Sequence, residues 1–222
     1  MNQVQGVIFD LDGVLVDTAR FHYLAWKKLA ENLGISFSHE QNEALKGVSR
    51  KESLEKILGW GNKVLTESEI EHWLTQKNNW YLEHIYEMDP REMLPGARDF
   101  LKMVHESPIK VALGSASKNA PLILDRLGVT HHFDAVIDGN RTSRSKPDPE
   151  VFQLGAEAIG LSPESVVVFE DAVAGVEAAK RAGMLAIGVG EPEVLSKADL
   201  VIPGFAHFGL SHLGAFAAKH LN

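Results

Sequence analysis

The sequence contains no cysteine, which excludes disulfide bonds and any reaction that uses a thiolate. It also lacks the His and Cys spacing that is typical of a zinc site. No apolar run approaches the ~20 residues that a membrane-spanning helix needs. No long basic stretch is present, and 22 basic against 30 acidic residues give a net charge of −8. Nucleic acid and anionic membranes are therefore poor candidates for partners.

The amino-terminal stretch MNQVQGVIFD lacks the layout of a signal peptide. We therefore expect a cytoplasmic protein, and we expect it to be a monomer. Its 222 residues, 45% of them hydrophobic, are enough for one large domain or for a core with an insert.

The most informative segment is FDLDGVLVDT, over 9–18. The apolar run GVIF predicts a buried strand, and Asp10 and Asp12 come at its end. Gly13 then lets the chain turn away. Ligands bind at the carboxyl ends of strands in open parallel sheets, and two neighbouring carboxylates there need a cation or separate roles as nucleophile and proton carrier. Alone, the same string also fits an Asp-rich surface turn.

A second acidic pair, Glu170 and Asp171, follows another apolar run, SVVVF, and precedes a segment with helical spacing. Four acidic residues at two strand ends form an oxygen cage suited to a hard cation. Mg²⁺ fits such a cage because it takes few protein carboxylates and leaves room for water and a phosphate oxygen.

Strand-like and helix-like segments alternate along most of the chain. Apolar runs at 109–113, 133–137, 166–169 and 185–189 predict strands, and helical patterns separate them. This alternation predicts an α/β fold with a doubly wound, Rossmann-like parallel sheet that carries helices on both faces.

Residues 18–89 interrupt this alternation and hold no convincing strand. We therefore predict a helical cap domain at 18–89, inserted into an α/β catalytic core that consists of 1–17 and 90–222.

Helical spacing predicts three helices within the cap. The first ends near Gly34, and the second begins at Arg50 and stops at Gly59. The third begins with Thr66 and Glu69, which have the spacing of a capping box.

Two further motifs follow predicted strands of the core. In the segment GSAS, small residues let backbone N–H groups approach an anion, and Ser115 can donate to a phosphate. The same segment also fits a plain turn and helix N-cap. Lys146 precedes a proline, which stiffens its backbone, and it could neutralise a transferring phosphoryl group. An exposed lysine is more often only a solvated charge.

Together these motifs resemble the haloacid dehalogenase superfamily: DxD after the first strand, a serine after a later strand, a downstream lysine and an acidic pair after another strand. The resemblance covers essentially the whole chain. It implies a doubly wound core with a mobile cap and Mg²⁺ as cofactor. It implies that Asp10 is the nucleophile and forms a phosphoaspartate. Asp12 would be the general acid and base and would offer its backbone carbonyl to the metal.

The same resemblance implies roles for the remaining core residues. Ser115 and Lys146 would hold the phosphoryl oxygens, and Glu170 and Asp171 would complete the metal site.

The predicted cap carries candidates of its own in the segment LKGVSRKESLEKIL. Gly47 allows a close backbone approach, and Arg50 offers a guanidinium fork suited to phosphate. Ser49 and Ser53 add hydroxyl groups at four-residue spacing. The composition of this segment alone also fits the solvated, mixed-charge start of a helix.

Two other cap helices contribute polar or aromatic residues. His22 and Trp26 are four residues apart and share one helix face, which by itself favours simple packing. Lys77 and Asn78 lie on the third cap helix.

Several of these strings are similar to those of the beta-phosphoglucomutase family within the superfamily: FDLDGVLVDTARFHYLAW, LKGVSR with SLEKIL, SASKN and SKPDPE. This resemblance implies interconversion of beta-glucose 1-phosphate and glucose 6-phosphate through beta-glucose 1,6-bisphosphate, with Arg50 on the phosphate that is not being transferred. The implied substrate-binding residues are Thr18, His22, Trp26, Lys46, Gly47, Val48, Ser49, Arg50, Ser53, Lys77, Ser115, Ala116, Ser117, Asn119 and Lys146.

Two other functions remain open at this point. The first is a sugar-phosphate phosphatase on the same core, in which water attacks the phosphoaspartate. The second is a non-catalytic phosphosugar- or metal-binding module, which the intact DxD carboxylates and Lys146 disfavour. The stretch with Arg141 and Arg144 looks less typical of the family and leaves the fine specificity open.

Overall fold

The computed structural model of the chain describes residues 4–46 and 48–220. Its described strands form one parallel sheet in the order β3-β2-β1-β4-β5-β6. They are β1 (Gly6–Phe9), β2 (Lys110–Gly114), β3 (Ala135–Ile137), β4 (Val166–Glu170), β5 (Leu185–Val189) and β6 (Leu200–Ile202).

Helices fill the connections between these strands. They are α1 (Ala19–Asn32), α2 (His39–Glu43), α3 (Arg50–Trp60), α4 (Glu67–Glu87), α5 (Ala97–His105), α6 (Ala120–Leu127), α7 (Glu150–Ala158), α8 (Val173–Arg181) and α9 (Leu210–His220). None of the described helices is long and apolar enough to cross a membrane.

The central strand β1 lies between β2 and β4, and the three strands are in register. Phe9 is the partner of Leu113 on one side and of Phe169 on the other. Because the strands are parallel, their carboxyl ends lie side by side at the same end of the sheet. The residues that follow β1, β2 and β4 therefore lie beside one another.

The sheet is covered on both faces, as the doubly wound fold requires. Successive side chains of a strand point to opposite faces. Phe9 and Phe169 belong to one apolar cluster, with their ring centroids 5.0 Å apart, and Ile8 and Val168 belong to another. The predicted α/β fold class is confirmed.

The helices α1 to α4 follow β1, and α1, α3 and α4 share an apolar cluster that includes Leu29, Leu54 and Ile57. The predicted capping box of α4 is confirmed, because Thr66 and Glu69 bond to each other's backbone N–H groups. The domain boundaries proposed for the cap stay a prediction.

The predicted end of α3 is wrong. Gly59 lies inside the helix, which continues to Trp60 and ends with Gly61 at its C-cap. Gly61 packs so close to Ile35 that a Cβ atom there would overlap its side chain. Glycine is therefore needed at Gly61, whereas Gly59 faces open space.

Two short elements escaped the sequence reasoning. The five-residue α2 begins with a capping box formed by Ser38 and Gln41. The three-residue β6 pairs with β5 at the edge of the sheet. Neither is long enough to show a repeating pattern of apolar residues.

Candidate active site

The core side of the site is built around a buried lysine. Nζ of Lys146 lies 2.6 Å from Oδ1 of Asp10, directly after β1, and 2.7 Å from Oε2 of Glu170, the last residue of β4. Burial alone would lower the pKa of Lys146, but the charges of Asp10 and Glu170 outweigh it and raise this pKa. The lysine therefore stays charged beside the first aspartate.

Three carboxylates lie close enough together to share a cation. One oxygen each of Asp10, Glu170 and Asp171 lies within 4.8 Å of the others, which no other group of His, Asp or Glu side chains does among the described residues. Burial raises the pKa of Asp171 to about 6, and the charge of Asp10 adds to this. The cluster thus holds more negative charge than its lysine neighbours neutralise.

Two glycines make room for these carboxylates. A Cβ atom on Gly13 would overlap the carboxylate of Asp171, and one on Gly175 would overlap that of Glu170. Gly13 also has φ +83, which favours glycine. Hard oxygen donors, excess negative charge and a fitted backbone together suit a hard divalent cation.

Asp12 lies outside this cluster and has a different environment. Its Oδ1 accepts a hydrogen bond from the hydroxyl of Thr18, which in turn accepts one from Tyr81 at 3.3 Å. Burial raises the pKa of Asp12 to about 8, and the charges of Asp10 and Asp171 add to the shift. A carboxyl group with such a pKa can both accept and return a proton near neutral pH.

The cap side of the site centres on a second buried lysine. Nζ of Lys77 lies 2.8 Å from Nδ1 of His22 and 4.4 Å from the ring centre of Trp26. Burial lowers the pKa of both Lys77 and His22, and the nearby charge of Arg50 contributes to both shifts. The shared helix face of His22 and Trp26 is therefore confirmed, and it faces a lysine.

Arg50 is the first residue of α3 and borders the same space. Burial lowers the pKa of its guanidinium. Within residues 4–46 and 48–220 no carboxylate lies within 4.0 Å of Arg50. A half-buried guanidinium without an acidic partner is suited to bind an anion.

A cavity of about 780 Å³ joins the core side to the cap side. This volume lies within the ~300–1,000 Å³ of typical small-molecule sites. The predicted site residues that line it are Asp10, Asp12, His22, Trp26, Lys46, Val48, Ser49, Arg50, Ser53, Lys77, Ser115, Ala116, Ser117, Asn119, Lys146 and Asp171.

Two of the predicted residues, Thr18 and Glu170, lie behind the cavity wall, where they contact Asp12 and Lys146. Gly47 lies outside the described residues.

The loop after β2 has the small side chains that the sequence indicated. The backbone N–H of Ser117 donates to Oγ of Ser115 at 3.1 Å, and Asn119 is the N-cap residue of α6. Gly139 packs against this loop so closely that a Cβ atom would overlap the carbonyl of Ala116. The loop is therefore held at the cavity by its neighbours.

Side-chain contacts between the predicted cap and core cross the cavity. Nζ of Lys46 lies 3.2 Å from Oδ2 of Asp171, and the amide of Asn119 donates to that of Asn78 at 2.9 Å. Ser49 has a local role, since it forms the capping box of α3 with Glu52. Its hydroxyl therefore already has a partner.

Sequence reasoning missed several residues that shape the site. Tyr81 follows Lys77 by one helical turn, and this spacing could have pointed to it. Asn78 was noted but given no role, although it contacts Asn119. Gly175 has no sequence signal, because its importance depends on where the Glu170 side chain lies.

The less typical stretch before Lys146 borders the cavity mouth. Arg144 lines the cavity, but its side chain is exposed and pairs with Asp148 at 3.0 Å. Arg141 instead donates to the carbonyl of Val136 at 3.0 Å.

Comparison with known proteins agrees with this geometry. Residues 4–183 match the family model of haloacid dehalogenase-like hydrolases. The chain is 43% identical over 201 residues to beta-phosphoglucomutase of Bacillus subtilis, covering 90% of this chain and 89% of that protein. It is 34% identical over 190 residues to a phosphorylated carbohydrates phosphatase of Thermotoga maritima, covering 82% of each.

A solved structure extends the likeness to the whole fold. The crystal structure of beta-phosphoglucomutase from Clostridium difficile superposes with a TM-score of 0.96 at 39% identity and covers 99% of both chains. The chain therefore belongs to the haloacid dehalogenase-like hydrolase family and is a close homologue of the beta-phosphoglucomutases.

Proposed function

We propose that the protein is a beta-phosphoglucomutase. It interconverts beta-glucose 1-phosphate and glucose 6-phosphate through a phosphorylated Asp10 and a beta-glucose 1,6-bisphosphate intermediate. The identity to the Bacillus subtilis enzyme and the likeness to the Clostridium difficile structure support this choice.

The observation that carries the proposal is a cation at each side of one cavity. Lys146 lies on the core side beside Asp10, and Arg50, which has no carboxylate partner among the described residues, lies on the cap side. A sugar bisphosphate has two phosphates to hold at once, one reacting and one waiting. A cavity that binds one phosphate at each side can release the bisphosphate and bind it again in the reversed orientation. The other phosphate then lies beside Asp10.

The chemistry follows from the core residues. Phosphoryl transfer depends on positioning and charge neutralisation. Asp10 carries the phosphoryl group and donates it to the 6-hydroxyl of beta-glucose 1-phosphate, while Asp12 takes the hydroxyl proton. In the second half-reaction the 1-phosphate passes to Asp10, and Asp12 returns the proton. Ser115 and Lys146 hold the phosphoryl oxygens in both steps.

The acidic cluster has a separate task. We assign it to Mg²⁺, which the carboxylates of Asp10, Glu170 and Asp171 and the backbone carbonyl of Asp12 would hold. When bound, the ion would supply positive charge that neutralises the transferring phosphoryl oxygens. Glu170 also orients Lys146, since it bonds to the ammonium at 2.7 Å.

The cap residues bind the sugar and the waiting phosphate in this proposal. Arg50 takes the phosphate. For the sugar side we propose the cavity-lining residues His22, Trp26, Lys46, Val48, Ser49, Ser53 and Lys77. Gly47 belongs to the same predicted set by the family resemblance. Closing the cap over Asp10 excludes water, which would otherwise hydrolyse the phosphoaspartate. We keep the cytoplasm and a monomeric state as predictions.

A sugar-phosphate phosphatase is the second candidate, because the Thermotoga maritima relative carries that activity in its name. The core motifs serve either reaction. The contacts of Asp12 with Thr18, and of Thr18 with Tyr81, favour the mutase, since they tie the proton carrier to the cap.

The choice of anomer tests the proposal. With Mg²⁺ and a trace of bisphosphate primer, beta-glucose 1-phosphate should be converted to glucose 6-phosphate and the alpha anomer should be left almost untouched. Equal turnover of both anomers would contradict the proposed pose of the sugar between cap and core.

A further inference from the structure

A buried asparagine of α2, Asn42, lines the cavity, and the proposed reaction gives it no role. Only 6% of this residue is exposed. Among the described residues, the other buried polar side chains that line the cavity all have a part in the proposed function. They are Asp10, Ser53, Lys77, Ser115 and Lys146. Asn42 is therefore the buried polar residue of the cavity wall that lacks an assignment.

The side-chain amide of Asn42 makes no hydrogen bond to another residue in the part of the chain that the structure describes. Its oxygen and nitrogen are not sealed off, since among the described residues the sealed side-chain atom without a partner is Nδ1 of His132. Burying a polar group without a hydrogen bond costs free energy. The amide must therefore find its partner in the cavity.

The backbone around Asn42 is held on both sides. Its N–H donates to the carbonyl of Ser38 at 3.1 Å, and its own carbonyl accepts from the N–H of Leu45 at 3.0 Å. Ser38 belongs to the capping box of α2, and Leu45 packs in the apolar cluster of the cap helices. This support positions the asparagine before a ligand binds, which lowers the entropy that binding costs.

Contacts between α2 and α3 place Asn42 among neutral polar groups. Nζ of Lys56 on α3 lies 3.2 Å from the carbonyl of Ala44, two residues after Asn42. Ser53, three residues before Lys56, is buried and lines the same cavity. An amide and a hydroxyl group suit the uncharged hydroxyls of a sugar, whereas the guanidinium of Arg50 suits a phosphate.

We propose that Asn42 binds a secondary ring hydroxyl of the hexose and so helps the cavity to select beta-glucose. This inference rests on the proposed function, which makes a hexose phosphate the ligand. The amide can both donate to a hydroxyl and accept from it. End-to-end reversal of the bisphosphate leaves the 3-carbon in the middle and exchanges the 2- and 4-carbons. All three carry equatorial hydroxyls in beta-glucose, so Asn42 meets a hydroxyl in both half-reactions.

Deoxy sugars test this contact. The ratio kcat/KM is measured for beta-glucose 1-phosphate and for its 2-, 3- and 4-deoxy analogues. Sugar 6-phosphate and inorganic phosphate are counted together, so that the test holds for a mutase and for a phosphatase alike. Asn42→Ala should lower kcat/KM for beta-glucose 1-phosphate about 2–10-fold, the effect of one neutral hydrogen bond. With the analogue that lacks the bound hydroxyl, the wild type and Asn42→Ala should be equally active.

The melting temperature separates binding from a structural role. Asn42→Leu has a similar size and removes the unpartnered amide, so its melting temperature should equal or exceed that of the wild type. Asn79→Ala is the matched control, because Asn79 is exposed on α4 and does not line the cavity. It should match the wild type in both measurements.

Two results would overturn the proposal for Asn42 alone. The first is an equal loss of kcat/KM with all four sugars in Asn42→Ala, and the second is no loss with beta-glucose 1-phosphate. If the wild type turned over none of these sugars, the proposed function would fail together with this inference.

Discussion

Nζ of Lys77 lies 2.8 Å from Nδ1 of His22, and burial lowers the pKa of both side chains. Two basic groups at this distance cannot both hold a proton beside Arg50 without strong repulsion. The ring of His22 also packs on Tyr81, with ring centroids 4.2 Å apart, and Tyr81 reaches Asp12 through Thr18. A continuous set of contacts thus joins the sugar side of the cavity to the proton carrier.

This connection predicts the effect of His22→Ala. Without the ring, Lys77 and Tyr81 lose a packing partner, and Asp12 is no longer held by the closed cap. Mutase turnover should fall on the order of 10²-fold, the cost of misplacing a reacting group by about an ångström. Release of inorganic phosphate should fall less, because water needs no sugar-side contact.

The two rates are measured together by coupled assays for glucose 6-phosphate and phosphate. His39→Ala is the control, because His39 is exposed and stacks on Tyr23, away from Asp12. Equal loss of both rates in His22→Ala would show that the ring supports the fold rather than the transfer.

Arg50 allows a test of the waiting phosphate. Arg50→Lys keeps the charge but loses the bidentate fork, and Arg50→Ala loses both. Each lost charge-assisted hydrogen bond costs about 1.5–3 kcal/mol, so mutase activity should fall at least about tenfold. Hydrolysis of acetyl phosphate, which has no second phosphate, should change little.

Lys56→Ala serves as the control for Arg50, since Lys56 lies on the same helix and bonds to the carbonyl of Ala44. If the hydrolysis of acetyl phosphate fell as far as the mutase activity in Arg50→Ala, Arg50 would be supporting the core site or the fold.

Asp12 makes the stability of the metal-free protein depend on pH. Its pKa is raised from 3.8 to about 8 in the folded protein. Between these pH values Asp12 holds a proton in the folded state that it has released in the unfolded state. Its contribution to the free energy of unfolding is therefore full at low pH and is lost as the pH rises to about 8. For one titrating group, the free energy of unfolding can change by at most ~1.4 kcal/mol per pH unit.

Urea unfolding in the presence of a chelator measures this dependence. The pKa values of Asp171 and Glu170 are raised too, so these groups also make the free energy of unfolding fall as the pH rises. In the variant Asp12→Asn the slope of this free energy against pH should therefore be smaller but not zero. A slope equal to that of the wild type would mean that Asp12 titrates normally.

Gly175 tests how closely the backbone fits the acidic cluster. Gly175→Ala would drive a Cβ atom into the carboxylate of Glu170 and so displace Lys146. We expect a loss of about 1–3 kcal/mol in stability, as for other overpacked sites, together with reduced turnover.

The matched control is Gly59→Ala, also inside a helix but with open space around the new atom. It should be stabilised by up to about 1 kcal/mol, because alanine is the better helix former. If urea unfolding gave Gly175→Ala the same stability as this control, the cluster would have more room than the geometry indicates.

The site residues that could be predicted from the sequence are those that lie at or directly after the ends of strands. Asp10, Ser115 and Glu170 come directly after or at the end of apolar runs, and a parallel sheet must bring such ends together. The residue types at these positions then indicated the chemistry. Recognition of the sugar side rested on the family resemblance, because the residues there also fit an ordinary helix surface.

The contacts that could not be predicted depend on tertiary packing. Thr18 and Tyr81 are 63 residues apart and meet only because α1 packs against α4. The need for glycine at Gly175 depends on the direction of one side chain on another element. Gly59 and Gly61 show the same limit, since only the position of Ile35 makes Gly61 the glycine without room for a Cβ atom.

The product ratio from beta-glucose 1-phosphate tests the central claim most directly. Wild-type protein with Mg²⁺ and a trace of bisphosphate should form glucose 6-phosphate in large excess over inorganic phosphate. Asp10→Asn should lose both products by more than about 10⁴-fold, since a nucleophile contributes more than the ~10²–10⁴ of one acid–base group. Release of phosphate faster than formation of glucose 6-phosphate by the wild type would contradict the mutase and establish a phosphatase in its place.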